Sequence, residues 1–236
     1  MLRCFPVVLL LLFSSIAHAD LAAGLAASRN GDYEIAFQEL EPEAKRGNAE
    51  AQYHLGVMYD AGQGVPQDAS KAFRWYLNAA ELGHKQAQYN AAVMYNEGRG
   101  TAVNPVLALQ WFSKAAQQGL ADAQFSLGVL YANGAAVKQD YTQAAQWYRK
   151  AAQQGDADAQ YNLALLYGTG KGVAPDLVQA WAWFDAAFTR AGKDNARKNR
   201  DVTAQRMTPV QIEQAKKVAG EYAAKYVAPF GKGKAP

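Results

Sequence analysis

The sequence predicts an all-α protein, a right-handed α-solenoid of stacked antiparallel helix pairs. Three observations carry that expectation. Ala-Gln falls at 51-52, 87-88, 123-124 and 159-160, a constant step of 36 residues. Trp75, Trp111, Trp147 and Trp183 keep the same step, as do Tyr59, Tyr95, Tyr131 and Tyr167, and Gly62, Gly98, Gly134 and Gly170. Within each period, apolar and small residues recur at i, i+3, i+4 and i+7, the spacing of one helix face. A fixed period in this range marks a repeat array whose units stack because none can bury its own apolar face.

Residues 1–19 are set apart. A single basic residue, Arg3, precedes an apolar run from Phe5 to Ile16, and Ala17-His18-Ala19 fits a small-residue cleavage site. This is the pattern of a secretory signal, so the mature chain is expected to begin at Asp20 and to be periplasmic or secreted. The apolar run is short for a membrane span, and no stable span is expected after cleavage. Cys4 is the only cysteine and would leave with the signal. Disulfides, thiolate metal sites and a cysteine nucleophile are thereby excluded from the mature chain. Residues 20–191 hold 13 basic and 17 acidic side chains, and residues 192–236 hold 10 and 4. A mildly basic end on a mildly acidic body is no nucleic-acid signature.

Residues 20–47 read as an N-terminal capping half-repeat. Asp32, Ala36 and Gly47 each stand 36 residues before a counterpart in the first full unit. Pro42 lies inside this helix, where its missing N–H favours a kink. Four units follow, 48–83, 84–119, 120–155 and 156–191. In the second, Gln88, Ala91, Ala92 and Tyr95 form the stripe of a first helix, A, which Gly98 ends. Asn104-Pro105 starts a second helix, B, whose stripe is Ala108, Trp111, Phe112, Ala115 and Ala116. Asp68, Asp140 and Asp176 are the equivalent caps, and Asp140 with Gln143 and Asp176 with Gln179 have capping-box spacing. A small column, Gly56, Ala92, Gly128 and Ala164, should let helix A approach helix B, with the Trp column as the bulk opposite. Residues 192–228 are expected to be capping helices. There Thr208-Pro209-Val210-Gln211 spells a capping box, with Met207 and Ile212 as its staple. Residues 229–236 read as a loose tail.

The units "AEAQYHLGVMYDAGQGVPQD" and "KAFRWYLNAAELG" resemble the Sel1-like repeat, a relative of the tetratricopeptide repeat. The resemblance covers the four full units. It departs at Ala136, where the other units have Gly64, Gly100 and Gly172, and at Ala191, where glycine is expected and Gly192 follows one residue late. A different bend is expected in the loop holding Ala136.

No catalytic constellation stands out. Beyond the signal there are two histidines, His54 and His84, without metal-ligand spacing. His54, in a column with Asn90, Ser126 and Asn162, reads as a polar surface residue. No serine has a lysine three residues on. The glycines at 62–64 and 170–172 lie between helices, with no strand before them, so they are not phosphate loops. Asp156 and Asp158 suit the first turn of a helix. The expectation is therefore no enzyme, no cofactor and no metal.

A binding role remains. Helix A carries a second stripe: Glu50, Tyr53, His54 and Val57, then Gln86, Tyr89, Asn90 and Val93, then Asp122, Phe125, Ser126 and Val129, then Asp158, Tyr161, Asn162 and Leu165. The resemblance implies that such positions line a concave ligand groove holding a protein or peptide partner. In a competing reading, the aromatics of the stripe only stack between consecutive A helices. The acids at 50, 122 and 158 favour a basic or polar partner segment. The resemblance implies an adaptor or scaffold in the bacterial envelope; the alternative classes are a cell-wall or β-lactam hydrolase and a carbohydrate-binding module.

Overall fold

The computed structural model describes residues 21–231, so the expected signal and the last five residues lie outside the described residues. The described chain is helical throughout, without strands. Helix α1 covers 21–30. It is followed by α2 (Tyr33–Lys45), α3 (Ala49–Ala61), α4 (Ala69–Glu81), α5 (Lys85–Glu97), α6 (Pro105–Gln117), α7 (Ala121–Asn133), α8 (Tyr141–Gln153), α9 (Ala157–Thr169), α10 (Leu177–Ala191), α11 (Asp194–Ala204) and α12 (Pro209–Tyr222). A π-helical turn (Ala223–Val227) and a 3-10 turn (Ala228–Phe230) close the chain. Two compact units divide between Trp111 and Phe112, within α6.

The repeat lengths follow from local chemistry. Helices A (α3, α5, α7, α9) and B (α4, α6, α8, α10) each start 36 residues after their predecessors. Every B helix begins at a side-chain cap: Asp68 accepts from the Lys71 N–H, Asn104 from Leu107, Asp140 from Thr142 and Gln143, and Asp176 from Val178 and Gln179. The expected boxes do not close at Asp140 and Asp176. The reason is that the cap's own N–H is already used. Asp68, Asn104, Asp140 and Asp176 donate it to the carbonyls of Tyr59, Tyr95, Tyr131 and Tyr167, at 2.8–3.0 Å. That bond ties each loop to the end of its own helix A. The box at Thr208 and Gln211 does close in both directions.

Ala136 does not bend its loop differently. Its φ is 64°, beside 69°, 71° and 69° for Gly64, Gly100 and Gly172. The shared hydrogen-bond frame imposes the left-handed conformation on a residue that pays about 1–2 kcal/mol for it. At Gly100 a side chain could not be admitted at all, because its Cβ would lie 2.1 Å from the Ala69 carbonyl oxygen.

The bulk opposite the small column is not the tryptophan. A Cβ on Gly56 would stand 2.5 Å from the ring of Tyr76, and one on Gly128 would stand 2.4 Å from that of Tyr148. Tyr76, Tyr148 and Phe184 are buried in these A–B contacts. The preceding Trp75 instead packs against the core of α2 and α3, and it stays half-exposed. Adjacent residues on a helix point about 100° apart, so both aromatics look apolar in sequence while serving different neighbours.

A buried glutamine ladder joins each helix A to the helix before it. Gln52, Gln88, Gln124 and Gln160 donate from Nε2 to the carbonyls of Ala44, Ala80, Ala116 and Ala152, at 3.0–3.2 Å. Those carbonyls belong to last turns, where each also accepts the N–H of the glycine three residues on, so the amide fills a second lone pair. This is the physical content of the repeated Ala-Gln.

At the ends, α1 and α2 make a complete helix pair rather than half of one. Gly24 lies against Leu40, and α2 runs unbroken through Pro42. Gly192 caps α10 at φ 66°, one residue late, so that helix is two residues longer than its counterparts. Met207 and Ile212 share a small core with Val178 and Ala215.

Candidate functional site

The second stripe of helix A is only half-buried along its length, with Glu50, Asp122 and Asp158 exposed. The structure divides its members into those engaged in packing and those presented to solvent.

In the unit before α6, Tyr53 stacks on His84 with centroids 4.5 Å apart, and it also leans on Tyr76 at 6.0 Å. Burial pushes the Tyr53 hydroxyl above its ordinary pKa. Glu50 receives both histidines, His84 Nε2 at 3.1 Å and His54 Nε2 at 3.4 Å. His84 also caps α5, its Nδ1 accepting the Ala87 N–H, which places the ring proton on Nε2 facing Glu50. Burial holds His54 below the ordinary histidine range, against the opposing pull of Glu50. His54 is thus a half-buried member of a cluster, not a plain surface residue. On α5, the half-buried Asn90 lies near the Tyr76 hydroxyl, whose pKa burial pushes up and Asn90 partly offsets. Gln86, Tyr89 and Val93 lie half-buried on the same helix.

In the unit from Phe112 on, Phe125 packs on Tyr148 at 5.9 Å and Tyr161 on Phe184 at 5.5 Å. Phe125 and Tyr161, like Tyr53, therefore rest on the second helix of their own repeat. Tyr161 also accepts a hydrogen bond from Asn199. Ser126 turns its hydroxyl back to the Asp122 carbonyl, within α7. Asn162, Val129 and Leu165 lie half-buried on the same face.

One rule relates the acids of the stripe. Each first-turn acid faces the residue that caps the helix two elements further on. Glu50 meets His84, and Asp158 forms an ion pair with Lys193, the cap residue of α11. Asp122 faces Asp156 instead, the cap of α9. The Asp156 carboxyl is pushed above the ordinary carboxylate range, first by burial, with the charges of Asp158 and Asp122 adding to it. Among the described residues the Asp122 carboxylate has no ion pair. It opens on a pocket of about 440 Å³ that Asp156, Asp158, Arg190 and Lys193 also line. Arg190 is held there by the carbonyls of Gly155 and Gly231.

The partners His84, Lys193 and Arg190 were absent from the sequence reading of the site. Each pairing spans about one period, and only the 36-residue columns could have suggested it. Among the described residues no group of three or more His, Cys, Asp or Glu is arranged to hold a metal ion, and no helix is long and apolar enough to cross a membrane.

Comparison with known proteins agrees with this architecture. The Sel1 repeat family matches at 49–84, 85–120, 121–156 and 157–190. A Sel1 repeat protein from Oxalobacter formigenes is 31% identical, with a TM-score of 0.74, over 87% of this chain and 85% of that one. A protective antigen of uropathogenic Escherichia coli strains is 32% identical, with a TM-score of 0.61, over 90% of this chain and 54% of that one. Among curated proteins, the DAP3-binding cell death enhancer 1 of Rattus norvegicus is 40% identical over 58 residues, 25% of this chain and 11% of that protein. The HRD3A component of an Arabidopsis thaliana ubiquitin ligase is 37% identical over 59 residues, 25% of this chain and 9% of that protein. This chain thus spans about a tenth of the length of those relatives. Proteins of Sel1 repeats generally mediate protein–protein interaction. The matched repeats, the solved relatives and the in-register helix pairs place this chain in the Sel1 repeat family, with an α-solenoid fold.

Proposed function

We propose that this protein is an exported adaptor or scaffold of the bacterial cell envelope, holding a protein or peptide partner along the second stripe of its A helices and performing no chemistry itself. Export rests on the signal-like first 19 residues. The observation that carries the partner site is the mismatch at Asp122. Where Glu50 and Asp158 find an internal basic or protonatable partner, Asp122 meets a second acid beside an open pocket. A lysine, arginine or terminal amine of the partner completes that position. The half-buried amides of Asn90 and Asn162 offer hydrogen bonds to an extended backbone on the same stripe.

The test is cross-linked capture from the native envelope by the purified mature protein. Wild type retains its partner. Asp122→Arg, or Asn90→Arg with Asn162→Arg, abolishes retention while circular dichroism and melting stay unchanged. Undiminished capture by both variants rules out this face.

A further inference from the structure

The chain already carries a peptide-like segment seated on its own repeats. After α12, the π-helical and 3-10 turns lead residues 223–231 back over α8, α9 and α10. Val227 is buried in the core formed by Tyr148, Leu163 and Trp183. Tyr226 stacks on Trp183 at 5.6 Å. The Tyr226 carbonyl accepts from Gln160 Nε2 at 3.3 Å, a second use of a ladder amide. Phe230 covers Gly155, where a Cβ would come within 2.7 Å of its ring, and Arg190 donates to the Gly231 carbonyl at 2.6 Å. The segment is thus read by an apolar socket, a ring, and two side-chain donors on its backbone, as a bound peptide would be.

Its hold is slight. Ala228, Pro229, Phe230 and Gly231 are exposed, and Val227 is the one fully buried side chain of the nine. Both turns have poorer hydrogen-bond geometry than an α-helix. Beneath the segment, the fully buried Gln160 keeps an Oε1 that has no partner among the described residues. An incoming strand that offers an N–H there gains a bond the chain's own segment does not make.

We propose that residues Ala223–Gly231 are a displaceable strap filling a peptide seat on α8–α10. A partner segment of the same pattern, an aromatic–aliphatic pair with a second aromatic three residues on, takes its place. The seat shares Gly155 and Arg190 with the Asp122 pocket. A partner anchored at Asp122 would therefore meet the end of the strap; that coupling rests on the reading above, whereas the seat does not.

The test uses the full chain and a fluorescent peptide with the sequence of residues 222–231, titrated by anisotropy. Val227→Ser with Phe230→Ser empties the seat, and the peptide binds about tenfold tighter or more than to wild type, because an intramolecular competitor lowers apparent affinity by the fraction of time it is closed. Arg190→Ala, which leaves the core untouched, speeds hydrogen exchange of 223–231 and leaves α10 as protected as before. Phe230→Ser alone, at an exposed ring of the strap, also raises peptide affinity, so the proposal stays testable if the double variant fails to fold. Asp122→Arg leaves peptide binding unchanged, which separates this seat from the stripe. The proposal is overturned if the folded serine variants bind the peptide no better than wild type, or if the strap of the wild type exchanges as slowly as α10.

Discussion

Repeat one (48–83) and repeat four (156–191) stand in the same register and solve the same packing problem with different side chains. Repeat one brings the backbone of helix A onto a tyrosine, Gly56 against the buried Tyr76. Repeat four has Ala164 and Phe184 at the corresponding positions, and both are buried. Asn48 caps helix A in the first, a partly buried Asp156 in the fourth. Trp75 is half-exposed, whereas Trp183 is 3% exposed beneath Tyr222 and Tyr226. The difference teaches that register is strict in this array while the filling of each interface is negotiable, provided that glycine goes with tyrosine and alanine with phenylalanine. The residues around 92 and 112 (Ala92, Phe112) follow the second pattern in sequence, and Gly128 with Tyr148 follows the first.

The comparison is broken most severely by removing a ring. Tyr76→Ala should cost about 3–5 kcal/mol in denaturant unfolding, since it empties a filled contact. A loss below about 1 kcal/mol would show that Tyr76 is not the bulk of the interface. Next, Gly56→Ala should cost about 1–3 kcal/mol by overpacking. Adding Tyr76→Phe to it reproduces the alanine and phenylalanine of repeat four, so the double variant should be more stable than additivity requires, by about 1 kcal/mol in a double-mutant cycle. Strict additivity would sink the glycine–tyrosine and alanine–phenylalanine pairing rule.

Ala136→Gly gives the third repeat the glycine that repeats one and four have at Gly64 and Gly172. It should raise stability by about 1 kcal/mol, seen as a higher Tm. A lower Tm would mean that the left-handed alanine carries no strain. The smallest effect is expected from Asp156→Asn, which makes the cap of repeat four that of repeat one. The folded-state pKa of Asp156 is raised, so its charged form is disfavoured by folding. Its contribution is intact below the unfolded carboxylate range and is lost as pH rises through the folded pKa. The variant should therefore exceed wild type by less than about 1 kcal/mol at neutral pH, with the gain vanishing as pH falls below about 4. A gain that is constant with pH would point to the cap geometry, not the charge.

Much of the fold was legible. Caps and terminators act within three or four residues, so Asp68, Asn104, Asp140, Asp176 and Gly62 announce themselves through local hydrogen bonding and φ alone. Less legible was the facing of two adjacent aromatics, because Trp75 and Tyr76 are both apolar enough to be core. The capping boxes at Asp140 and Asp176 were over-read, since a backbone amide can serve only one acceptor and Tyr131 and Tyr167 claim it. Of the stripe, its position and its acids were readable. That Glu50 and Asp158 are already answered by His84 and Lys193, while Asp122 is not, depends on side chains a full period away.

By itself, the sequence determined the period, the helix pair, the loop frame and the family, because each is written in short-range chemistry repeated at a constant step. Tertiary structure alone decided which aromatic fills the gap at Gly56, why every period keeps a buried glutamine, and where the segment after Tyr222 comes to rest. Those outcomes are set by contacts between residues 8 to 66 positions apart, for which one turn of helix holds no record.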